Sequence, residues 1–453
     1  MRAYLFCITL LLGGVQTAAQ AEVFERTLAN GLKVIVKEDH RAPVVVQQIW
    51  YKAGSMDERT GVTGIAHVLE HLMFKGTHTV PAGEFSRRIS AAGGRENAFT
   101  SYDYTAYFQQ LHKSKLPLAM ELEADRMRNL NLTAADFARE IKVVMEERRL
   151  RTDDEAHALL QEKMMATIYQ QHPYRHPIIG WMSDLESLTV GDAKAWYDRW
   201  YAPNNATLVI GGDVKASEVF ALAQRHYGAI PRRAMPPRRN FIEPRQAGIK
   251  RMVVKAPAEL PHLVMSYHAP TLQNPAQDWQ PYALQILAGV LDGNESARLN
   301  KHLVREQQVA SGAGAGYDLT SRGPSLFTLE ATPSEGRTVN DVEAALRGEI
   351  AQLVRDGVSE EELQRVKAQV VAGEVYKLDS LFYQAMQIGQ MESIGLTHRA
   401  IPVILEKLQA VTAEQVRQAA EAILQDDSLT VAVLDPQPLS GKPKAPQGAA
   451  HAH

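Results

Sequence analysis

Apolar residues recur at helical spacing over Ile65, Val68, Leu69 and Leu72, and again over Phe137, Ile141, Val144 and Met145; this period gathers side chains on one face of an α-helix. The second run follows Thr133 and Asp136, which resemble a capping box and predict a helix start there. Between the two helices, Arg95 to Phe108 carries Phe99, Tyr102, Tyr104, Tyr107 and several threonines after Gly93-Gly94, a composition that predicts an extended strand. Two later stretches, 223 residues apart, share one layout. Leu188-Thr189-Val190-Gly191-Asp192 opens a helix that leads into the apolar strand Ala206 to Ile210, and Val411-Thr412-Ala413-Glu414-Gln415 opens another that leads into Leu429 to Leu434. The chain therefore reads as a duplication. Residues 22–230 and 250–436 form the halves, and a proline-rich connector over 231–249 joins them.

The ends differ from this pattern. Arg2, the apolar stretch Tyr4 to Leu12 and the small residues up to Ala19-Gln20-Ala21 read as a secretory leader over residues 1–21, which predicts export and, in a bacterium with an outer membrane, a periplasmic protein. The lone Cys7 would leave with it. No later segment approaches the roughly 20 apolar residues of a membrane helix. Residues 437–453, rich in proline, alanine and glycine, read as a disordered tail, and His451 and His453 belong to it. With 453 residues, 45% hydrophobic, 22% charged and a net charge of −3, the rest is an ordinary globular chain with no basic tract suited to nucleic acid.

Chemistry enters through His67-Val68-Leu69-Glu70-His71 on the first amphipathic helix. Histidines at i and i+4 share a face, so both rings can reach one ion while Glu70 lies beside them. This H-x-x-E-H order is a zinc-hydrolase arrangement. Zinc takes a third protein ligand, and the helix after Thr133 offers Glu140, Glu146 and Glu147. Glu140 and Glu147 lie two turns apart on one face, whereas Glu146 points about 100° away. That phase selects Glu147 as the ligand and Glu140 as its supporting carboxylate. Glu70 is then the base that takes a proton from a metal-acidified water and returns it to the leaving amine. The ligand set suits zinc and would also admit manganese or cobalt. The segment Arg95 to Phe108 could accept an extended peptide.

The pentad lies in Ala66 to Thr77, and with Asn30 to Val34, Ala53-Gly54-Ser55, Asn97 to Ser101 and Tyr201 to Asn205 it resembles the M16 (pitrilysin-like) zinc peptidases, among them the mitochondrial processing peptidase subunits. The resemblance covers nearly all of the chain after the leader. It implies an α+β fold of two homologous domains, each a mostly antiparallel sheet covered by helices on one face. It also implies a third ligand about 76 positions beyond the second histidine, which is Glu147, and a supporting glutamate seven residues earlier, which is Glu140. By the same resemblance Asn97, Ala98 and Phe99 lie on an edge strand to which a peptide substrate adds.

The second half departs from the first. Tyr282 to Leu291, at the place of the pentad helix, has no histidine or glutamate, so one chain offers one zinc site. The family's substrate-holding arginine maps to Arg305, but the expected tyrosine falls at Ser311, with Tyr317 six residues on. Since the family's active unit has four such domains, the resemblance implies a second M16-like chain. That chain would be a partner carrying the Arg/Tyr pair or a second copy of this one. The expected function is zinc-dependent endopeptidase, with a non-catalytic peptidase-like binding or assembly subunit as the alternative.

Overall fold

The computed structural model describes residues 22–377 and 379–439; the expected leader and nearly all of the expected tail lie outside them. A six-stranded sheet is formed by β1 (Val23–Thr27), β2 (Lys33–Glu38), β3 (Val44–Tyr51), β4 (Arg95–Thr100), β5 (Thr105–His112) and β6 (Ala206–Gly212), in the order β1-β2-β6-β3-β5-β4. A five-stranded sheet follows, with β7 (Lys250–Pro257), β8 (His262–Ala269), β9 (Ala310–Tyr317), β10 (Ser325–Pro333) and β11 (Leu429–Gln437) in the order β7-β11-β8-β10-β9. The connector 231–249 contains neither helix nor strand.

The duplication is visible in the pairing. β6 lies parallel to β2 and antiparallel to β3, and β11 stands in the same relation to β7 and β8. The other strand pairs among the described residues are antiparallel. Pro436 and Gln437 extend β11 beside Ala256 and Pro257, so the second half runs one residue past its expected end.

Among the helices of the described residues are α1 (Ile65–Leu72), α2 (Ala134–Arg148), α3 (Ala156–Ile168), α4 (Val190–Trp200), α5 (Gln280–Asp292), α6 (Leu381–Ser393) and α7 (Ala413–Ile423). Thr189 and Thr412 cap α4 and α7 in reciprocal boxes, which satisfies backbone N–H groups that a helix end leaves unpaired. Thr133 Oγ1 accepts from Asp136 N–H at the start of α2.

Each sheet packs one face on helices of its own half. The inward residues Val34, Val36, Ile49 and Tyr51 meet Val68, Leu69 and Leu72 of α1 in the first half, and Leu263, Met265 and Phe327 meet the apolar α5 in the second. The opposite faces are also covered, each by a helix from the other half. Ala385 and Ile388 of α6 lie over Ile35, Val46, Trp50 and Val209, while Leu160, Met164 and Ile168 of α3 lie over Val254, Val264, Ala432 and Leu434. Helices over a single face were expected; the β3 segment Val44–Tyr51, buried from Val45 to Tyr51, instead requires cover on both.

Candidate metal and peptide site

α1 begins without a side-chain cap of its own: Gly64 is left-handed at φ 86°. The carboxylate of buried Glu58 takes that role, accepting from Gly64 N–H and Ala66 N–H, each at 2.8 Å. Gly64 also lies against Gly180, and a Cβ on it would stand 2.5 Å from the Ile179 carbonyl. The helix that presents the histidines is thus held at its start by backbone packing as well as by its apolar face.

One turn separates His67 and His71, whose ring centroids lie 4.8 Å apart. Across from them, α2 presents Glu147, with Oε2 at 3.8 Å from His67 Nε2 and 3.4 Å from His71 Nε2. Ligands about 2.1 Å from a tetrahedral ion stand roughly 3.4 Å from one another; the Glu147 oxygen is near that spacing from each imidazole, and all three atoms lie within 4.8 Å of one another. Two imidazoles and one carboxylate also match zinc's preferred donors in a hydrolytic site. Glu140 lies one face-repeat earlier, buried, with Oε2 3.6 Å from His71 Nδ1 and Oε1 2.8 Å from Lys75 Nζ. Glu146 is exposed and pairs with Arg149.

The electrostatics follow from burial and these pairings. Burial, reinforced by the neighbouring His71, lowers His67 to about 4, so its imidazole is neutral at pH 7. For His71, burial also favours the neutral ring, but Glu140 and Glu147 outweigh it and raise the pKa. Glu147 is shifted the other way: His71, His67 and Arg151 overcome burial and hold it ionised, with Arg151 Nη1 2.6 Å from Oε1. Burial pushes Glu70 up to about 7, against the hydrogen bond that Thr100 Oγ1 donates to Oε2 at 2.5 Å.

Thr100 is the last residue of β4, which among the described residues is the outermost strand of its sheet and pairs with β5 alone. Strand alternation places Ala98 and Thr100 on the α1 side and Asn97 and Phe99 on the other. Ala98 packs on the core that contains α1. The Phe99 ring packs against Trp50 at 5.4 Å, in the cluster beneath α6, so its side chain is committed to the fold and only its backbone remains on the edge. The Asn97 amide oxygen accepts from Ala98 N–H at 2.8 Å, which leaves its NH2 group as the part able to meet a peptide.

Arg305 is not brought to this group. It is exposed on the helical segment Leu299–Glu306, beside Lys301, His302 and Glu306 at a cavity of the second half. Ser311 is exposed as well, and Tyr317, the nearest tyrosine, donates its hydroxyl to the Pro270 carbonyl. Among the described residues, the cluster of His67, His71 and Glu147 thus includes neither Arg305 nor Tyr317.

Four contacts of the site were missed in sequence. Arg151 lies four residues beyond Glu147, a helical spacing that could have pointed to it. Lys75 stands past the end of α1 and reaches Glu140 on another helix, so helical spacing does not announce it. Thr100 follows Ala98 by two, the strand period. Glu58 reaches α1 through a loop, and no local pattern announces it. A second convergence, Glu25, Glu392 and His398, already holds a cation: Lys33 Nζ lies 3.1 Å from Glu25 and 2.9 Å from Glu392. Among the described residues, no helix is long and apolar enough to cross a membrane.

Comparison with known proteins agrees with this architecture. Residues 33–181 match the insulinase domain of peptidase family M16, and residues 187–370 match the peptidase M16 inactive domain. The zinc protease PqqE of Helicobacter pylori is 34% identical over 363 residues, covering 78% of this chain and 80% of that protein. An uncharacterized zinc protease of Mycobacterium leprae is 29% identical over 413 residues, 90% of this chain and 91% of its own. The crystal structure of a Helicobacter pylori protease superposes with a TM-score of 0.86 at 28% identity, over 92% of this chain and all of the other. The fold and these relatives together place the chain in the M16 family of peptidases.

Proposed function

We propose that the protein is a zinc-dependent endopeptidase that hydrolyses peptides or small unfolded proteins, with one zinc ion per chain held by His67, His71 and Glu147. The observation that carries this reading is the convergence of two imidazole nitrogens and a carboxylate oxygen beside a half-buried glutamate and the edge strand β4. Zinc bound there would supply the Lewis acidity that sharpens a water's nucleophilicity and polarises a peptide carbonyl. Glu70 is the general base: its carboxyl, raised to about 7, is matched to taking and returning a proton near neutrality. Glu140 orients His71 while Lys75 holds Glu140 in turn. A peptide adds to β4 through main-chain hydrogen bonds at residues 97–99, which makes recognition broad in sequence. A second M16-like chain completes the unit, because Arg305 stands apart from the site. The leader-like residues 1–21 support export to the periplasm.

The test combines metal analysis with cleavage of a mixed peptide library by the purified chain, alone and with an M16-like partner. Glu70→Gln should retain zinc and lose turnover by about 10²- to 10⁴-fold, the range of general-base catalysis. Full turnover in that variant would remove Glu70 from the chemistry. A zinc-loaded wild type that cleaves nothing under either condition would favour the non-catalytic binding subunit.

A further inference from the structure

We infer that Thr100 is a positioning residue: it ties the Glu70 carboxylate to the strand along which a peptide extends, and so sets the base in register with the bond to be cut. The inference rests on the reading of Glu70 as base. Glu70 rides on α1, whereas β4 belongs to the sheet, so nothing in the covalent chain between residues 70 and 100 fixes one against the other. The Thr100 hydroxyl bridges them, donating to Glu70 Oε2 at 2.5 Å. With Oε2 engaged, proton transfer falls to Oε1, for which no hydrogen-bond donor is found among the described residues. Thr100 is also well placed to set this register. It closes β4, its side chain shares the α1 face with Ala98, and its backbone continues the edge formed by residues 97–99. Displacement of the β4 edge would therefore carry the base with it.

A threonine serves this better than a longer donor. Its β-branch restricts χ1, and its hydroxyl can act with little entropy to lose. Valine keeps the shape and removes the donor, while serine keeps the donor and frees the rotamer.

The experiment measures peptide turnover, zinc content and thermal unfolding for Thr100→Val, Thr100→Ser, Glu70→Gln and the Glu70→Gln/Thr100→Val double variant. Misplacement of a catalytic group by an ångström costs up to about 100-fold in rate, so Thr100→Val should lower kcat roughly 10- to 100-fold at nearly constant KM and full zinc content. Thr100→Ser should recover most of the loss. In the Glu70→Gln background, Thr100→Val should add almost nothing, the non-additivity expected of two residues acting as one unit. Wild-type kcat in Thr100→Val, equal damage from valine and serine, or additive losses in the double variant would overturn the assignment to Thr100 while leaving Glu70 in place. Full activity in Glu70→Gln would instead remove the base on which it depends, and the inference with it.

Discussion

Glu140 shows how much of this site is decided by one side chain standing between two others. Its Oε1 meets Lys75 and its Oε2 faces His71 Nδ1, so it fixes the ring whose other nitrogen points at Glu147. His67 lacks such support: its buried Nδ1 has no hydrogen-bond partner among the described residues. Loss of an outer carboxylate beside a ligating histidine typically costs 10- to 100-fold in metal affinity. Glu140→Gln should weaken zinc retention by about that factor with little change in thermal unfolding, as measured by competition with a chromogenic chelator. Unchanged affinity would assign Glu140 to the packing of α1 on α2 alone. At this scale the sequence was legible wherever one helix supplied the geometry. His67, Glu70 and His71 are positioned by the helical period, and Glu140 and Glu147 by phase on α2. It was not legible for Glu58 and Thr100, whose partners belong to other elements and which carry no unusual residue type. At Phe99 alternation divides the residue: its ring turns toward Trp50, and its backbone stays on the strand edge.

Among the elements, α6 depends most on what lies beneath it. A Cβ at Gly389 would stand 2.1 Å from the Trp50 indole, so the helix approaches β3 as closely as a glycine permits. The end of α6 is fastened by Glu392, which accepts from His398 Nδ1 at 2.9 Å and from Lys33 Nζ of β2 at 2.9 Å. Burial works against ionising Glu392, yet His398 and Lys33 prevail and lower its carboxyl to about 2, from an ordinary 4.5. The sign follows from linkage: a carboxyl depressed in the folded state stabilises it fully above the unfolded value, and that stability is lost as pH falls through the folded value. Wild type and Glu392→Gln, compared by urea unfolding between pH 7 and pH 3, should differ most above about pH 4.5 and converge toward acid. By the pKa difference the ceiling is about 3 kcal/mol. A gap that stays constant across that range would mean that packing, not charge, fastens the helix. The apolar residues of α6 and α3 show in the sequence that each helix has a face to bury. A hydrophobic period does not say which sheet will bury it, and that information exists only in the tertiary arrangement.

At the scale of the whole molecule, the paired caps at Thr189 and Thr412 disclosed the duplication, and β6 and β11 occupy equivalent places in their sheets. The exchange of cover between halves makes the chain more than two repeats in series. Separating it at the connector would strip α6 from Ile35, Val46, Trp50 and Val209, and α3 from Val254, Val264, Ala432 and Leu434. It would also open the ion pairs that cross the halves, such as Arg322 with Asp57 at 3.1 Å and Lys33 with Glu392 at 2.9 Å. A contiguous apolar face of this kind, left bare, drives association. Residues 22–249 expressed alone contain every proposed zinc ligand, yet they should aggregate or unfold without a cooperative transition. Coexpression with residues 250–453 should return a soluble complex that binds zinc as the intact chain does, because each fragment carries the helix the other lacks. Size exclusion and thermal unfolding of the single and paired fragments distinguish the outcomes. A monomeric 22–249 fragment that melts cooperatively near the temperature of the full chain would show that the exchanged helices are ornament to two independent domains.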